Sequence, residues 1–209
     1  MKRAQHFVVL LAASALCGFT NSTSVLAHTG PAPLAKSQTQ RSVTNVKIRN
    51  FALIDQTGKP LDFATLKGKI VIAGFGYTTC PDVCPLITAA MRSVQEQLTA
   101  SERASVHFLT ITTDPELDSA SVLAGYAKRY KVDFSTWSFL TGTAADLSAV
   151  WKNFGVKVQR KARGLIDHTP LVALIDQHGV MRIAYHGSAP LAQMILEDTR
   201  SFIQRKKTG

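Results

Sequence analysis

The sequence predicts an α/β fold in which a mixed central sheet is flanked by helices. Short, dense apolar runs, which are typical of buried strands, alternate along the chain with longer segments whose apolar residues recur every three or four positions, as in amphipathic helices. Near the carboxyl end, two apolar runs follow each other across a turn at 176–179 and predict a hairpin, which makes the sheet mixed.

The individual elements follow from the same patterns. Each strand is an apolar run bounded by glycine, proline or polar residues, as Gly68 and Gly76 bound the run at 70–75. The predicted strands are residues 46–48, 51–54, 70–75, 106–111, 137–140, 171–175 and 180–185. The predicted helices are the segment after Pro85 up to residue 98, then 119–130, 144–154 and 191–203. We expect Gly155 to end the third helix. This order fits a thioredoxin-like fold, although periodicity alone does not separate it from other three-layer α/β folds.

Residues 1–27 have the layout of a secretory signal peptide. Lys2 and Arg3 precede a mostly apolar run at 7–19, and Ala27 ends a segment with small or permissive residues at the positions that signal peptidase recognises. We expect cleavage after Ala27 and a periplasmic mature chain that begins at His28. An uncleaved membrane anchor is the alternative, but a run of 13 residues is short for a membrane span.

The rest of the chain divides into a tether and one domain. Residues 28–44 lack periodicity and predict a flexible tether, and residues 45–209 form the domain. The formal charge of +10 falls to +8 when Lys2 and Arg3 leave with the signal. This excess favours an acidic protein partner or peripheral contact with an anionic membrane surface. Nucleic acid is the weaker interpretation, because the basic residues are scattered and no nucleic-acid-binding signature is present.

Cys80 and Cys84 are the cysteines that remain after the signal is removed. A disulfide between them would close a very small loop and stabilise the fold little, so the pair is better explained by reactivity or metal binding. Both lie where a buried strand leads into a helix. The free N–H groups and the positive dipole end of that helix favour thiolates.

Two adjacent thiolates leave three functions open. They can form a disulfide, attack a disulfide of another protein, or chelate a soft metal ion such as copper(I) or zinc. Structural zinc usually takes four ligands, whereas copper(I) is stable with two or three. Because the mature chain has two cysteines, histidine or methionine is the expected third ligand.

Three segments carry a resemblance to a known family. The run at 76–85, Gly-Tyr-Thr-Thr-Cys-Pro-Asp-Val-Cys-Pro, closely resembles the copper-binding loop of the Sco/SenC proteins, which are assembly factors of cytochrome c oxidase. The runs at 109–116 and 167–179 resemble the family's Asp-Pro strand and its histidine segment. The resemblance extends from about Val46 to the last helix. Three residues between the cysteines make it specific, because thioredoxins have two.

The resemblance implies a copper site with Cys80, Cys84 and His168 as ligands, holding Cu(I) or Cu(II). Asp114 matches a position near that site and is given a supporting role. Pro170 resembles in position the cis-proline of thioredoxins, which would support thiol–disulfide chemistry. From the residues alone, His168 is as well explained by a hydrogen-bonded strand end, and Asp114 by a turn before proline.

The leading hypothesis is therefore a periplasmic copper metallochaperone for the copper centre of cytochrome c oxidase. Its partners would be the copper-site subunit or another copper chaperone, together with a thiol reductant. The alternative is an enzyme, a thiol–disulfide reductase with Cys80 and Cys84 as catalytic residues. A basic cluster before the histidine is either a solvated face or a docking patch, and His28 could form a second copper(II) site. The cluster comprises Lys152, Lys157, Arg160, Lys161 and Arg163.

Overall fold

The apolar runs of the sequence form a six-stranded mixed sheet, which the computed structural model describes within residues 39–187 and 192–208. In these ranges the strands are β1 Gln40–Lys47, β2 Ala52–Ile54, β3 Pro60–Asp62, β4 Ile70–Gly76, β5 Val106–Thr112, β6 Trp137–Leu140, β7 Val158–Arg160, β8 Ile166–His168, β9 Leu171–Ile175 and β10 Val180–His186. The α-helices are α1 Val83–Gln97, α2 Ala100–Arg103, α3 Ala120–Arg129, α4 Ala144–Phe154 and α5 Ala192–Thr208.

The sheet has the strand order β1-β10-β9-β4-β5-β6. Strands β4, β5 and β6 are parallel, with β6 at the edge of the sheet, and their connections run through helices. The hairpin β9–β10 adds two antiparallel strands beside β4, and β1 pairs antiparallel with β10 at the edge. The predicted mixed sheet and the predicted hairpin are therefore confirmed, as is the helix-flanked architecture.

The sheet separates two hydrophobic cores, and alternate side chains of β4 belong to one core or the other. Ile70 and Ile72 pack with α1, α3 and α5 on one face of the sheet. Val71, Ala73 and Phe75 pack with α4 on the other. Side chains of a strand point alternately to its two faces, so an all-apolar strand must be covered on both. Each large side chain buried in this way contributes about 1.5–3 kcal/mol to folding.

Helix α4 ends at the predicted residue. Gly155 adopts a left-handed backbone conformation with φ of 74°, and its N–H donates to the carbonyl oxygens of Lys152 and Trp151. At the other end, the hydroxyl of Thr143 accepts a hydrogen bond from the N–H of Asp146. A left-handed glycine and a threonine cap satisfy backbone groups that the helix leaves unpaired.

Of the predictions for residues 1–44, the structure tests only the part that falls on residues 39–44. Residues 40–44 belong to β1 and pair with β10, so the prediction that the tether extends to residue 44 is wrong. The predicted signal peptide and residues 28–38 of the tether lie outside the described residues. Within residues 39–187 and 192–208, no helix combines the length and apolar character that crossing a membrane requires.

Candidate metal centre

Cys80 and Cys84 lie in the connection from β4 to α1. Cys80 is in the loop, where its N–H donates to the carbonyl oxygen of Tyr77 over 3.3 Å, and it is half-buried. Cys84 is the second residue of α1, and only 4% of it is exposed. Both are free thiols. The predicted placement at the start of a helix is confirmed, with Cys84 inside the helix and Cys80 before it.

His168 ends β8 and is brought to Cys84 from 84 residues away in sequence. Its Nε2 lies 3.6 Å from the Cys84 Sγ, and its Nδ1 lies 3.1 Å from the carbonyl oxygen of Thr169. A carbonyl oxygen can only accept, so this hydrogen bond assigns the imidazole proton to Nδ1. Nε2 then faces the sulfur with a free lone pair, as a metal ligand requires.

The distance between these two atoms fits a shared metal ion. Bonds of about 2.3 Å to sulfur and about 2.0 Å to nitrogen, at an angle of about 110°, separate the two donors by about 3.5 Å. Cys80 packs against the small cluster that contains Cys84, Tyr77 and Ile166. Even so, no three His, Cys, Asp or Glu side chains in the described part of the chain form a ready-made metal site. The structure thus assembles Cys84 with His168 and leaves Cys80 beside them.

Burial sets the protonation of both assembled groups. Burial, followed by the neighbouring Cys80, raises the pKa of the Cys84 thiol. Burial also lowers the pKa of His168, which favours the neutral imidazole. The expectation that the helix end stabilises a thiolate is wrong for Cys84 in the metal-free protein, because burial outweighs the backbone hydrogen bonds that favour the anion.

Tyr77 connects the cysteine loop to the histidine hairpin. Its hydroxyl oxygen accepts a hydrogen bond of 3.2 Å from the Ile166 N–H. Its ring stands edge-on to His168, with centroids 6.2 Å apart. Tyr77 therefore packs directly between the loop that carries the cysteines and the strand that carries the imidazole.

Asp118, a residue that sequence reasoning missed, anchors the cysteine loop by hydrogen bonds. It is fully buried and accepts hydrogen bonds from the Thr78 N–H and hydroxyl and from the Thr112 hydroxyl. Burial raises its pKa despite these hydrogen bonds, and the charge of Asp114 adds to the shift. The only signal in the sequence was a second aspartate four residues after Asp114.

Asp114 is also fully buried, and its Oδ1 lies 2.5 Å from Nη2 of Arg160. Arg160 lies in β7, one strand from His168, and also pairs with Glu116 over 3.2 Å. Asp114 therefore contacts the hairpin that carries the histidine. Its other carboxylate oxygen, Oδ2, is buried and has no hydrogen-bond partner among the described residues.

The structure also bears on two other predictions, the cis-proline likeness of Pro170 and the basic cluster. The peptide bond before Pro170 is trans, so the expected likeness to a cis-proline is not found. In the basic cluster, Arg160 and Lys161 have acidic partners, whereas Lys152 and Lys157 are exposed. The cluster is therefore partly neutralised by its neighbours, and its role in docking stays a prediction.

Comparison with known proteins gives a consistent result. The sequence model of the SCO1/SenC family matches residues 39–204. The SCO1 protein homolog of Bacillus subtilis (strain 168) is 36% identical over 98 residues, which cover 47% of this chain and 50% of that protein. This alignment thus spans half the length of that relative.

Solved structures extend the similarity over most of the domain. A SCO1/SenC family lipoprotein from Bacillus anthracis str. Ames is 30% identical, covers 82% of this chain and 99% of its own, and superposes with a TM-score of 0.70. BsSco, a member of the Sco family of cytochrome c oxidase assembly proteins with an identified disulfide switch, is 28% identical with a TM-score of 0.65, covering 77% and 95%. Bradyrhizobium japonicum ScoI with copper bound is 26% identical with a TM-score of 0.60, covering 75% and 99%.

Proposed function

The chain belongs to the SCO1/SenC family, and from this premise we propose that it is a copper metallochaperone for the copper centre of cytochrome c oxidase. Cys80, Cys84 and His168 are its proposed ligands. The observation that carries the proposal is the 3.6 Å approach of His168 Nε2 to Cys84 Sγ. Copper fits this donor set, because thiolate and imidazole both suit it.

The geometry suggests how one copper ion is held and released. Cys84 is buried, whereas Cys80 and His168 are both half-buried. Binding removes the proton of the Cys84 thiol, and the charge of the metal compensates the thiolate that burial disfavours. A partner's ligand would reach the metal past the half-buried residues, so exchange would proceed by replacing Cys80 or His168 before buried Cys84.

The location belongs to the same proposal. The signal-like residues 1–27 support export to the periplasm, where a donor to cytochrome c oxidase would work. The excess of positive charge supports an acidic partner or contact with an anionic membrane surface.

The reductase alternative has narrower support. The proximity of two free thiols favours it, and half-buried Cys80 would be the attacking residue. The raised pKa of Cys84 and the trans bond before Pro170 count against it. Copper delivery is therefore the better-supported function.

Competition with a chromophoric copper(I) chelator tests the ligand set. Reduced wild-type protein should bind one copper(I). Loss of a direct ligand in Cys80→Ser, Cys84→Ser or His168→Ala should lower the affinity more than the about 10- to 100-fold typical of supporting residues. His178→Ala, which changes an exposed histidine outside the site, is the matched control and should bind like the wild type. Wild-type affinity in His168→Ala would show that the ligand assignment is wrong.

A further inference from the structure

The hairpin that carries His168 stands outside the main sheet. Its strands β7 and β8 have three residues each, and in the part of the chain that the structure describes they pair only with each other. A two-stranded hairpin of this size is marginally stable without tertiary contacts. The position of the imidazole therefore depends on the contacts that attach the hairpin to the domain, together with the two-residue link from His168 to β9.

One face of the hairpin makes those attachments. Arg160 pairs across the strands with Ile166, and His168 lies two residues further along β8. Cross-strand partners and alternate residues share a face, so all three side chains are on the same side. Ile166 is buried and its N–H is bonded to Tyr77, which identifies this side as the inner face.

Arg160 is the charged attachment on that face. The Asp114 carboxylate that it contacts is 0% exposed, whereas about a third of the Arg160 side chain, 36%, is exposed. A buried carboxylate is costly unless a cation or hydrogen-bond donors compensate it. Among the described residues, Asp114 Oδ1 has Arg160 as its ion-pair partner, and Oδ2 has no hydrogen-bond partner. The negative charge of the buried Asp114 carboxylate is therefore compensated only while the hairpin holds Arg160 in place.

We propose that Arg160 is a positioning residue for the metal ligand His168. By pairing with Asp114, it holds the inner face of the hairpin against the cysteine loop and so fixes the distance between Nε2 and the Cys84 sulfur. The role in copper binding rests on the proposed function, whereas the position of the hairpin does not.

Hydrogen exchange of the metal-free protein, measured by NMR, tests the position. In Arg160→Gln the Ile166 amide should exchange about tenfold faster, as expected when a hydrogen-bonded charge pair is lost. Lys161→Gln is the matched control, because it removes the same charge from the next residue, whose carboxylate partner Asp167 is exposed. Its Ile166 amide should exchange like the wild type. Equal exchange in Arg160→Gln and the wild type would overturn the inference.

A double-mutant cycle tests the effect on the metal. Arg160→Gln should weaken copper(I) binding about 10- to 100-fold, the usual effect of losing a residue that orients a ligand. In the His168→Ala background the same substitution should change nothing further, because its effect passes through the imidazole. Arg160→Lys keeps the charge and should restore part of the affinity.

Hydrogen exchange and the double-mutant cycle together distinguish the positioning role of Arg160 from the proposed copper function. An equal loss of affinity in both backgrounds would mean that Arg160 acts on the fold in general, and the inference would be wrong. A wild-type protein that binds no copper would overturn the proposed function alone, because the exchange measurement decides the position of the hairpin without metal.

Discussion

Gly76 is the residue at which strand β4 closely approaches Cys84 of helix α1. A Cβ atom at this position would lie 3.0 Å from both Cβ and Sγ of Cys84. This is closer than side chains normally pack, so Gly76→Ala should displace the sulfur. We expect the free energy of unfolding of the metal-free protein to fall by about 1–3 kcal/mol, as for other overpacked cores. Copper affinity should fall with it.

Calorimetry and chelator competition on Gly76→Ala check this prediction. Gly125→Ala is the control, because Gly125 lies in α3 with open space around its Cβ position. Alanine there should raise the free energy of unfolding by about 0.5–1 kcal/mol through helix propensity and leave copper affinity unchanged. If Gly76→Ala binds copper like Gly125→Ala, the close approach has no role at the site.

At the residue scale, sequence predicts the donors better than their protonation. Cys84 could be named from its local pattern and His168 from the family resemblance of its segment, and the structure brings the two together. The protonation of Cys84 could not, because local reasoning includes the helix end but not the burial by Tyr77 and by Ile166 of a distant hairpin. Asp118 was missed for the same reason, since its partner Thr78 is 40 residues away.

Strand β1 is attached to helix α5 by an ion pair that makes stability depend on pH. Asp198 of α5 pairs with Arg41 of β1 over 2.8 Å and accepts a hydrogen bond of 2.6 Å from the hydroxyl of Tyr185. Burial opposes ionisation of Asp198, but these two partners outweigh it and hold its pKa below the ordinary 3.8. A carboxyl whose pKa is lowered by folding stabilises the fold above its unfolded pKa. The contribution is lost as pH falls from about 3.8 through the folded value.

Asp198→Asn tests this linkage by urea unfolding at pH 7 and pH 3. At pH 7 the variant should be less stable by about 1 kcal/mol, a modest figure because Arg41 is partly exposed to solvent. At pH 3 the difference should shrink, because this pH lies below the ordinary carboxyl pKa of 3.8 and the unfolded chain then binds the proton. Glu96→Gln, which removes a surface pair with Arg92 within α1, is the control and should show little difference at either pH. A constant difference for Asp198→Asn would contradict the assignment.

At the element scale, the missed elements are those that bury least. Strand β1 is an edge strand whose eight residues are all exposed or half-buried, so its first part, residues 40–44, resembles a tether, and the strand predicted at 46–48 captured only its end. Strand β7 is likewise open to solvent. The strands predicted well, β4 and β9, are buried at every position.

At the scale of the whole domain, the site lies where sheet topology predicts it. The cysteine loop follows β4 and the Asp114–Asp118 turn follows β5, so both leave the carboxyl ends of neighbouring parallel strands. Sites in open α/β sheets gather at this edge. The alternating order of elements was sufficient to predict the mixed sheet. It did not predict that a separate hairpin would carry the histidine, because that hairpin does not pair with the six-stranded sheet.

The same arrangement predicts that the redox state of the whole protein controls its copper. A metal needs deprotonated thiols, and a disulfide between Cys80 and Cys84 offers none. The two cysteines pack in one cluster and are both free in the reduced protein. An oxidising compartment favours the disulfide. The oxidised protein should therefore keep His168 alone from the proposed ligand set and lose most of its copper affinity, and bound copper should protect the thiols from oxidation.

Copper binding before and after mild oxidation, with alkylation and mass spectrometry to count free thiols, tests this control. Cys80→Ser is the matched control, because it cannot form the internal disulfide and should show no oxidation-dependent loss beyond its own lower affinity. Undiminished copper binding by a fully disulfide-bonded wild type would refute both the redox control and the two-sulfur site. A reduced form that rapidly reduces a disulfide substrate, and is itself left with the Cys80–Cys84 disulfide and without copper affinity, would instead favour the reductase. The reason is that the internal disulfide would then be a working state of the protein, and copper would be held only while a reductant maintained both thiols.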